Sequence, residues 1–411
     1  MAQLKRYENG LKLVVKRIDG LLSVTMGILV GAGACLERDR EDGISHFIEH
    51  MSFKGTKTLN EEEISNAFDE IGAQQNAFTG KDLTCYYAKA TSEHTERAFS
   101  LLADLFLNSV YPEDGLERER GVILEEIAMN EDTPEDYCSD LLAEAYYGKD
   151  NYGRNILGPM DNVRRFTAED IRSYRNAFYT ADNIVVSFAG NITLSEAEEL
   201  VEKYFVGALP LKKERREKKI VLQGKHLFRK KDIEQVHLSI AYPSFHRYDR
   251  MINPSSIINS ALGGSMSSRL FQSVREKQGL AYNVYSYQNL YEETGTFVIY
   301  AGVNGKNVDR ARDAILSVIS DLKKKGITKE ELLRGKEQMK ASTIFAQEST
   351  SSQMLLYGKY LLYRDELFDM NEKMEEMGRV TMDDVMACLA ESFSEKNMAS
   401  ALVGKVDRPL F

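Results

Sequence analysis

The sequence predicts an α+β fold of two similar domains, each a mainly antiparallel sheet covered by helices. Three observations carry that expectation. The chain has 411 residues, more than one hydrophobic core usually serves, so two domains of about 200 residues are the starting point. A stretch from Phe166, FTAEDIRSYRNAFYTADNIVVSFAGNI, resembles VTMDDVMACLAESFSEKNMASALVGKV from Val380. Strand-like and helix-like runs also follow one another in the same order in both halves.

The repeat holds its register. Thr167 pairs with Thr381, Asp170 with Asp384, Asn183 with Asn397 and Gly190 with Gly404, all at an offset of 214. In each copy a Thr N-cap opens a short helix, an Asn marks a turn, and an apolar strand ends at a Gly. Upstream, LKLVVKR and LLSVTMGILV read as strands in the first half and VHLSIAY in the second. Each half then has a strand pair, NAFTG with LTCYYAKA and YNVYSYQNLY with GTFVIYAGV, and long amphipathic helices. Between the halves lies LKKERREKKIV, residues 211–221, a charge run of the kind that forms a solvated connector. The expected domains are 1–210 and 222–411.

Composition excludes several classes of function. With 43% hydrophobic and 28% charged residues, the chain is that of a soluble globular protein. A net charge of -10 argues against nucleic acid or an anionic membrane as the main partner. Cys35, Cys85, Cys138 and Cys388 lie far apart with no CxxC pair, which reads as free thiols in a reducing compartment. MAQLKRYENGLKLVVKR has no apolar core of signal-peptide length. LLSVTMGILVGAGA is too short and glycine-rich to span a bilayer. A cytoplasmic protein is expected.

The stretch SHFIEHMSF carries the chemistry. Read as a helix, it stacks His46 and His50 at i and i+4 on one face, with Glu49 on the flank of that face. Two imidazoles so spaced can share one zinc ion, and HxxEH is a recognised inversion of the HExxH motif. Catalytic zinc takes three protein ligands and a water, so a third ligand is needed. The helix ERERGVILEEIAM offers candidates. Leu116, Ile123 and Ile127 define its apolar face; Glu119 and Glu126 fall on that side, whereas Glu125 points nearly opposite. A carboxylate held against an apolar face needs a cation or a metal, which leaves Glu119 and Glu126.

HFIEHMSFKGT, NAFTGKDLTCYYAK, ERGVILEEIAMNEDTPED and GGSMSSRLFQSVREKQGLAYNVYS together span most of the chain. It resembles the pitrilysin/insulinase-type zinc peptidases, in particular the short-chain branch of mitochondrial processing peptidase and its bacterial relatives. The resemblance implies one zinc ion per chain held by His46, His50 and Glu126, with Glu119 supporting the site without binding metal. It implies Glu49 as the general base. Asn76 and Ala77, in NAFT, would bind substrate backbone as an added strand. Arg275 and Tyr282, in REKQGLAY, would complete the active site from the far domain, Tyr282 donating to the oxyanion. The second repeat lacks the metal motif: at the offset of 214 the four positions fall on Ser260, Gly263, Gly264 and Lys340.

The implied activity is that of a zinc endopeptidase cutting peptides or unfolded segments bound as an extended strand in an enclosed chamber. Long family members join two such halves in one chain, so a chain of this length implies a homodimer with shared active sites. The rival readings are a non-catalytic, peptide-binding member of the same fold, or a subunit that needs a different partner. The remaining histidines lack motif spacing. No cysteine sits in a nucleophile motif, and GGSMSS lacks the lysine of a phosphate loop.

Overall fold

The computed structural model describes residues 1–210, 214, 216, 218 and 220–411. The apolar runs of the first half form β1 (Gln3–Arg6), β2 (Lys12–Arg17), β3 (Ser23–Val30), β4 (Gln74–Thr79), β5 (Thr84–Thr91) and β6 (Ile184–Gly190). Those of the second half form β7 (His226–Lys230), β8 (Gln235–Ser244), β9 (Ala281–Leu290), β10 (Gly295–Asn304) and β11 (Ala399–Gly404). The first sheet has the order β1-β2-β6-β3-β5-β4 and the second β7-β11-β8-β10-β9.

Without β1 the two orders superimpose strand for strand. In each sheet one pair is parallel, β2 with β6 and β7 with β11, and the other pairs are antiparallel. The duplication read from the sequence is therefore a duplication of topology. Strand β1, too short and polar to stand out by pattern, is an addition to the first copy.

The compact units interleave along the chain. One gathers Met1–Ile127, Asn155–Lys218 and Phe345–Asp369; the other gathers Ala128–Arg154, Lys219–Ile344 and Met370–Phe411. The chain thus passes from unit to unit at several points besides the expected 211–221 connector, of which 211–213, 215, 217 and 219 lie outside the described residues. Each unit borrows a helix from the other half of the sequence.

The helix Thr350–Arg364 packs on β2, β3 and β6 of the first unit. There Gly358 sits so close to β3 that an added Cβ would lie 2.7 Å from Leu29 Cδ1. Ser187 Oγ donates to the Met354 carbonyl at 2.8 Å. The helix Pro134–Tyr147 packs on β7, β8 and β11 of the second unit, where Cys138 Sγ reaches the His237 and Ala401 carbonyls. A sheet covered on both faces explains why β3 and β6 run apolar without alternation: all of β6 and all but the first residue of β3 are buried.

All four cysteines are buried and none is in a disulfide. Among the described residues no helix is long and apolar enough to cross a membrane.

Candidate metal centre

The histidine motif forms the helix Ile44–Met51. Ile44, Phe47, Ile48 and Met51 point into the core of the first unit, and this fixes the opposite side for His46, Glu49 and His50. The helix begins after Gly43, whose φ of 95° and tight approach to Leu157 and Gly158 suit glycine alone.

The second helix, Glu113–Asp132, buries Leu116, Glu119, Ile123 and Ile127 and leaves Glu125 exposed. Glu126 comes up to the imidazoles. Its Oε2 lies 3.7 Å from His46 Nε2 and 3.5 Å from His50 Nε2, and the His46 and His50 ring centroids are 4.6 Å apart.

These three groups fit a zinc ion. Metal–ligand bonds of about 2.0–2.1 Å in a tetrahedron give ligand–ligand edges of roughly 3.3–3.4 Å, close to the observed separations. Glu126 Oε2 is buried and has no hydrogen-bond partner, a costly state for a carboxylate oxygen unless a cation completes it. Among the described residues, His46, His50 and Glu126 are the group whose ligand atoms converge, within 4.8 Å of one another.

The groups around the cluster order it. His50 Nδ1 lies 2.9 Å from Glu119 Oε2, a bond that keeps a proton on Nδ1 and turns Nε2 towards Glu126. Lys54 Nζ holds the other oxygen, Glu119 Oε1, at 2.6 Å and also reaches Glu61 at 2.5 Å. Burial raises the Glu119 pKa, but the bonds from His50 and Lys54 outweigh it and hold the carboxyl below its usual value. Burial and the charge of His50 lower His46 to about 3, so its ring is neutral and ready to ligate. For His50, burial pulls down, while the Glu119 bond and the Glu126, Glu119 and Glu49 charges bring a net rise.

Glu49 binds neither imidazole. Its Oε2 accepts from Thr79 Oγ1 at 2.5 Å. Burial raises its pKa, the Thr79 bond and His50 oppose the rise, and the net shift is upward. That direction suits a group that must take up and release a proton near neutrality. Thr79 ends β4, the edge strand, which among the described residues pairs with β5 alone.

Asn76 and Ala77 lie on the same strand. The Ala77 N–H donates to Asn76 Oδ1 at 2.8 Å. Arg275 and Tyr282 belong to the second unit. Arg275 stands on a π-helical segment, Phe271–Lys277, with its guanidinium over the rings of Phe271 (4.6 Å) and Tyr282 (5.7 Å). Tyr282 is 69% exposed.

Helix spacing offers no sign of Thr79 or Lys54, although both stand inside quoted motifs, NAFT and HMSFKGT.

Comparison with known proteins finds relatives across both halves of the chain. Residues 14–160 match the insulinase (peptidase family M16) profile, and residues 165–339 match the profile of the M16 inactive domain. An uncharacterized zinc protease of Bacillus subtilis, YmxG, is 40% identical over 97% of this chain and 98% of its own. The chain belongs to peptidase family M16.

Another relative, an uncharacterized zinc protease of Streptomyces coelicolor, is 34% identical over 96% of this chain and 87% of its own. The fold matches that of a Helicobacter pylori protease at a TM-score of 0.91 and 23% identity, covering 98% of this chain and 99% of that one. It also matches a Pseudomonas fluorescens structure described as a peptidase M16 inactive domain, at 0.92 and 21%, with both chains covered in full. The half that matches the insulinase profile is the half that carries HxxEH.

Proposed function

We propose that this M16 protein is a zinc-dependent endopeptidase, with one ion per chain held by His46, His50 and Glu126. The observation that carries the reading is the convergence of two imidazole Nε2 atoms on one buried, unpartnered carboxylate oxygen, with Glu49 alongside and tied to Thr79. Zinc, when bound, supplies Lewis acidity that polarises the scissile carbonyl and lowers the pKa of water to about 7.

Glu49 takes the proton of the attacking water and passes it to the leaving nitrogen. Glu119 holds the His50 ring in its ligating orientation, and Lys54 keeps Glu119 charged. Peptides or unfolded segments enter as an extended strand along the free edge of β4, where Asn76 and Ala77 meet the substrate backbone. A substrate strand has to displace the Asn76 side chain from the Ala77 N–H.

The chain works in the cytoplasm as a homodimer. The metal centre of one copy is completed by the partner subunit's Arg275 and the partner subunit's Tyr282, the tyrosine donating to the oxyanion. Loss of one such donor raises the barrier by about 3 kcal/mol. Mixing Glu49→Gln with Tyr282→Phe, each nearly inactive, then restores part of the activity through hybrid dimers. No recovery after demonstrated subunit exchange refutes the shared site.

The deciding experiment is cleavage of a quenched, unstructured peptide by wild type and by Glu49→Gln, with zinc measured on both. The expected result is cleavage by wild type only, with zinc retained by the variant. Zinc-loaded wild type that cuts nothing across a varied peptide set would overturn the catalytic reading and favour a non-catalytic or partner-dependent subunit.

A further inference from the structure

The helix that carries His46, Glu49 and His50 has no capping side chain of its own. Its N-cap residue is glycine, so its first N–H groups must find acceptors elsewhere. Glu37, at the end of the short turn Ala34–Leu36, meets that need. Its Oε2 accepts from the Gly43 N–H at 2.7 Å and its Oε1 from the Ser45 N–H at 2.8 Å. The side chain thus stands at the positive end of the helix.

Glu37 is only 5% exposed, and among the described residues no lysine or arginine forms an ion pair with it. Burial pushes its pKa up to about 8, against the bonds from Ser45 and Gly43. A polar group this deep in a core is costly to keep unless its hydrogen bonds are made. Its bonds go to the Gly43 and Ser45 N–H groups at the helix start, not to an imidazole.

Ser45 links this cap to the chemistry. Its N–H is held by Glu37, its Oγ donates to Tyr174 OH at 3.1 Å, and its carbonyl lies 3.4 Å from Thr79 Oγ1. That hydroxyl is the one bonded to Glu49. A helix of eight residues is too short to hold its own rotation and tilt; both are set by what grips its ends and its buried face. A change at Ser45 therefore reaches His46, one residue on, and the Thr79–Glu49 bond directly.

We infer that Glu37 is a positioning residue of the metal centre, fixing through the Gly43 and Ser45 N–H groups the orientation of the helix that presents His46, Glu49 and His50. The inference rests on the reading of that cluster as a zinc site. Glu37→Gln keeps the shape of the side chain and one acceptor, but turns an amide NH2 towards a backbone N–H.

The test compares wild type, Glu37→Gln and a destabilising control, Phe188→Leu on β6. Zinc affinity is read by chelator competition, and kcat and KM with the quenched peptide. Glu37→Gln is expected to bind zinc about 10-fold more weakly, the scale of groups that orient metal ligands, and to lose kcat with KM unchanged. Phe188→Leu, at a similar loss of Tm, should leave both unchanged in its folded fraction.

A glutamine variant that matches wild type, or changes no more than Phe188→Leu, overturns the inference. Should Glu37→Gln not fold, Glu37→Asp, which keeps the carboxyl on a shorter arm, decides the matter: reduced zinc affinity supports the inference and wild-type affinity overturns it. Wild type that binds no zinc at all overturns instead the zinc reading on which the inference stands.

Discussion

Replacing Glu119 by glutamine separates the charge of this residue from its shape. Its carboxylate is 6% exposed and has two partners, His50 Nδ1 at 2.9 Å and Lys54 Nζ at 2.6 Å. A glutamine cannot serve both. If its oxygen faces His50, its NH2 faces the Lys54 ammonium. If its oxygen faces Lys54, its NH2 opposes the Nδ1 proton of His50 and favours the wrong tautomer. Groups in this position change metal affinity by about 10–100-fold, or about 1.4–2.8 kcal/mol. The protein should still fold, because Lys54 keeps Glu61. The assay is competition for zinc against chelators of graded affinity, with Glu125→Gln, on the exposed side of the same helix, as the control. Zinc binding by Glu119→Gln within twofold of wild type, or an equal loss in Glu125→Gln, refutes the argument.

Thr79→Val keeps the volume of the side chain but removes the donor to Glu49. Since that bond favours the charged form, the Glu49 pKa should rise further, moving the acid limb of kcat/KM to higher pH; an unmoved limb rules out Thr79 as its partner. Gly358→Ala sets a Cβ 2.7 Å from Leu29 Cδ1 and 3.1 Å from Ser187 Cβ. It should cost about 1–3 kcal/mol in denaturant unfolding, and a neutral result contradicts the close packing of the exchanged helix on β3. In the second unit, Glu331 accepts from Arg269 at 2.6 and 2.8 Å and from the Thr328 N–H at 2.7 Å. Burial raises its pKa, and these bonds outweigh it and lower the folded value. Its contribution to stability is therefore present above the unfolded carboxyl pKa and lost as pH falls through the lower folded one. Glu331→Gln should cost about 1–3 kcal/mol near pH 7, with the gap to wild type narrowing below about pH 4; a gap independent of pH counts against the ion pair.

Much of this protein is legible from sequence because it depends on local periodicity. The spacing of His46 and His50, and of Glu119 and Glu126, is a property of any α-helix. So is the outward turn of Glu125 once Ile123 and Ile127 face the core. The register of Thr167 with Thr381 and Gly190 with Gly404 marked a duplication that the two sheets repeat strand for strand. Periodicity alone left the third candidate ligand open between Glu119 and Glu126.

Tertiary structure decided the rest. Which carboxylate meets the imidazoles depends on how Glu113–Asp132 docks beside Ile44–Met51, and no pattern within either helix encodes that. The same holds for Thr79 on Glu49, Lys54 on Glu119 and Glu37 at the helix start, contacts made by side chains whose elements meet only after the first sheet has formed. The exchange of Pro134–Tyr147 and Thr350–Arg364 between units was hidden for a related reason. An amphipathic helix shows in its sequence that it will be buried on one face, but two homologous sheets offer it similar surfaces, and only packing at residues such as Cys138 and Gly358 selects between them.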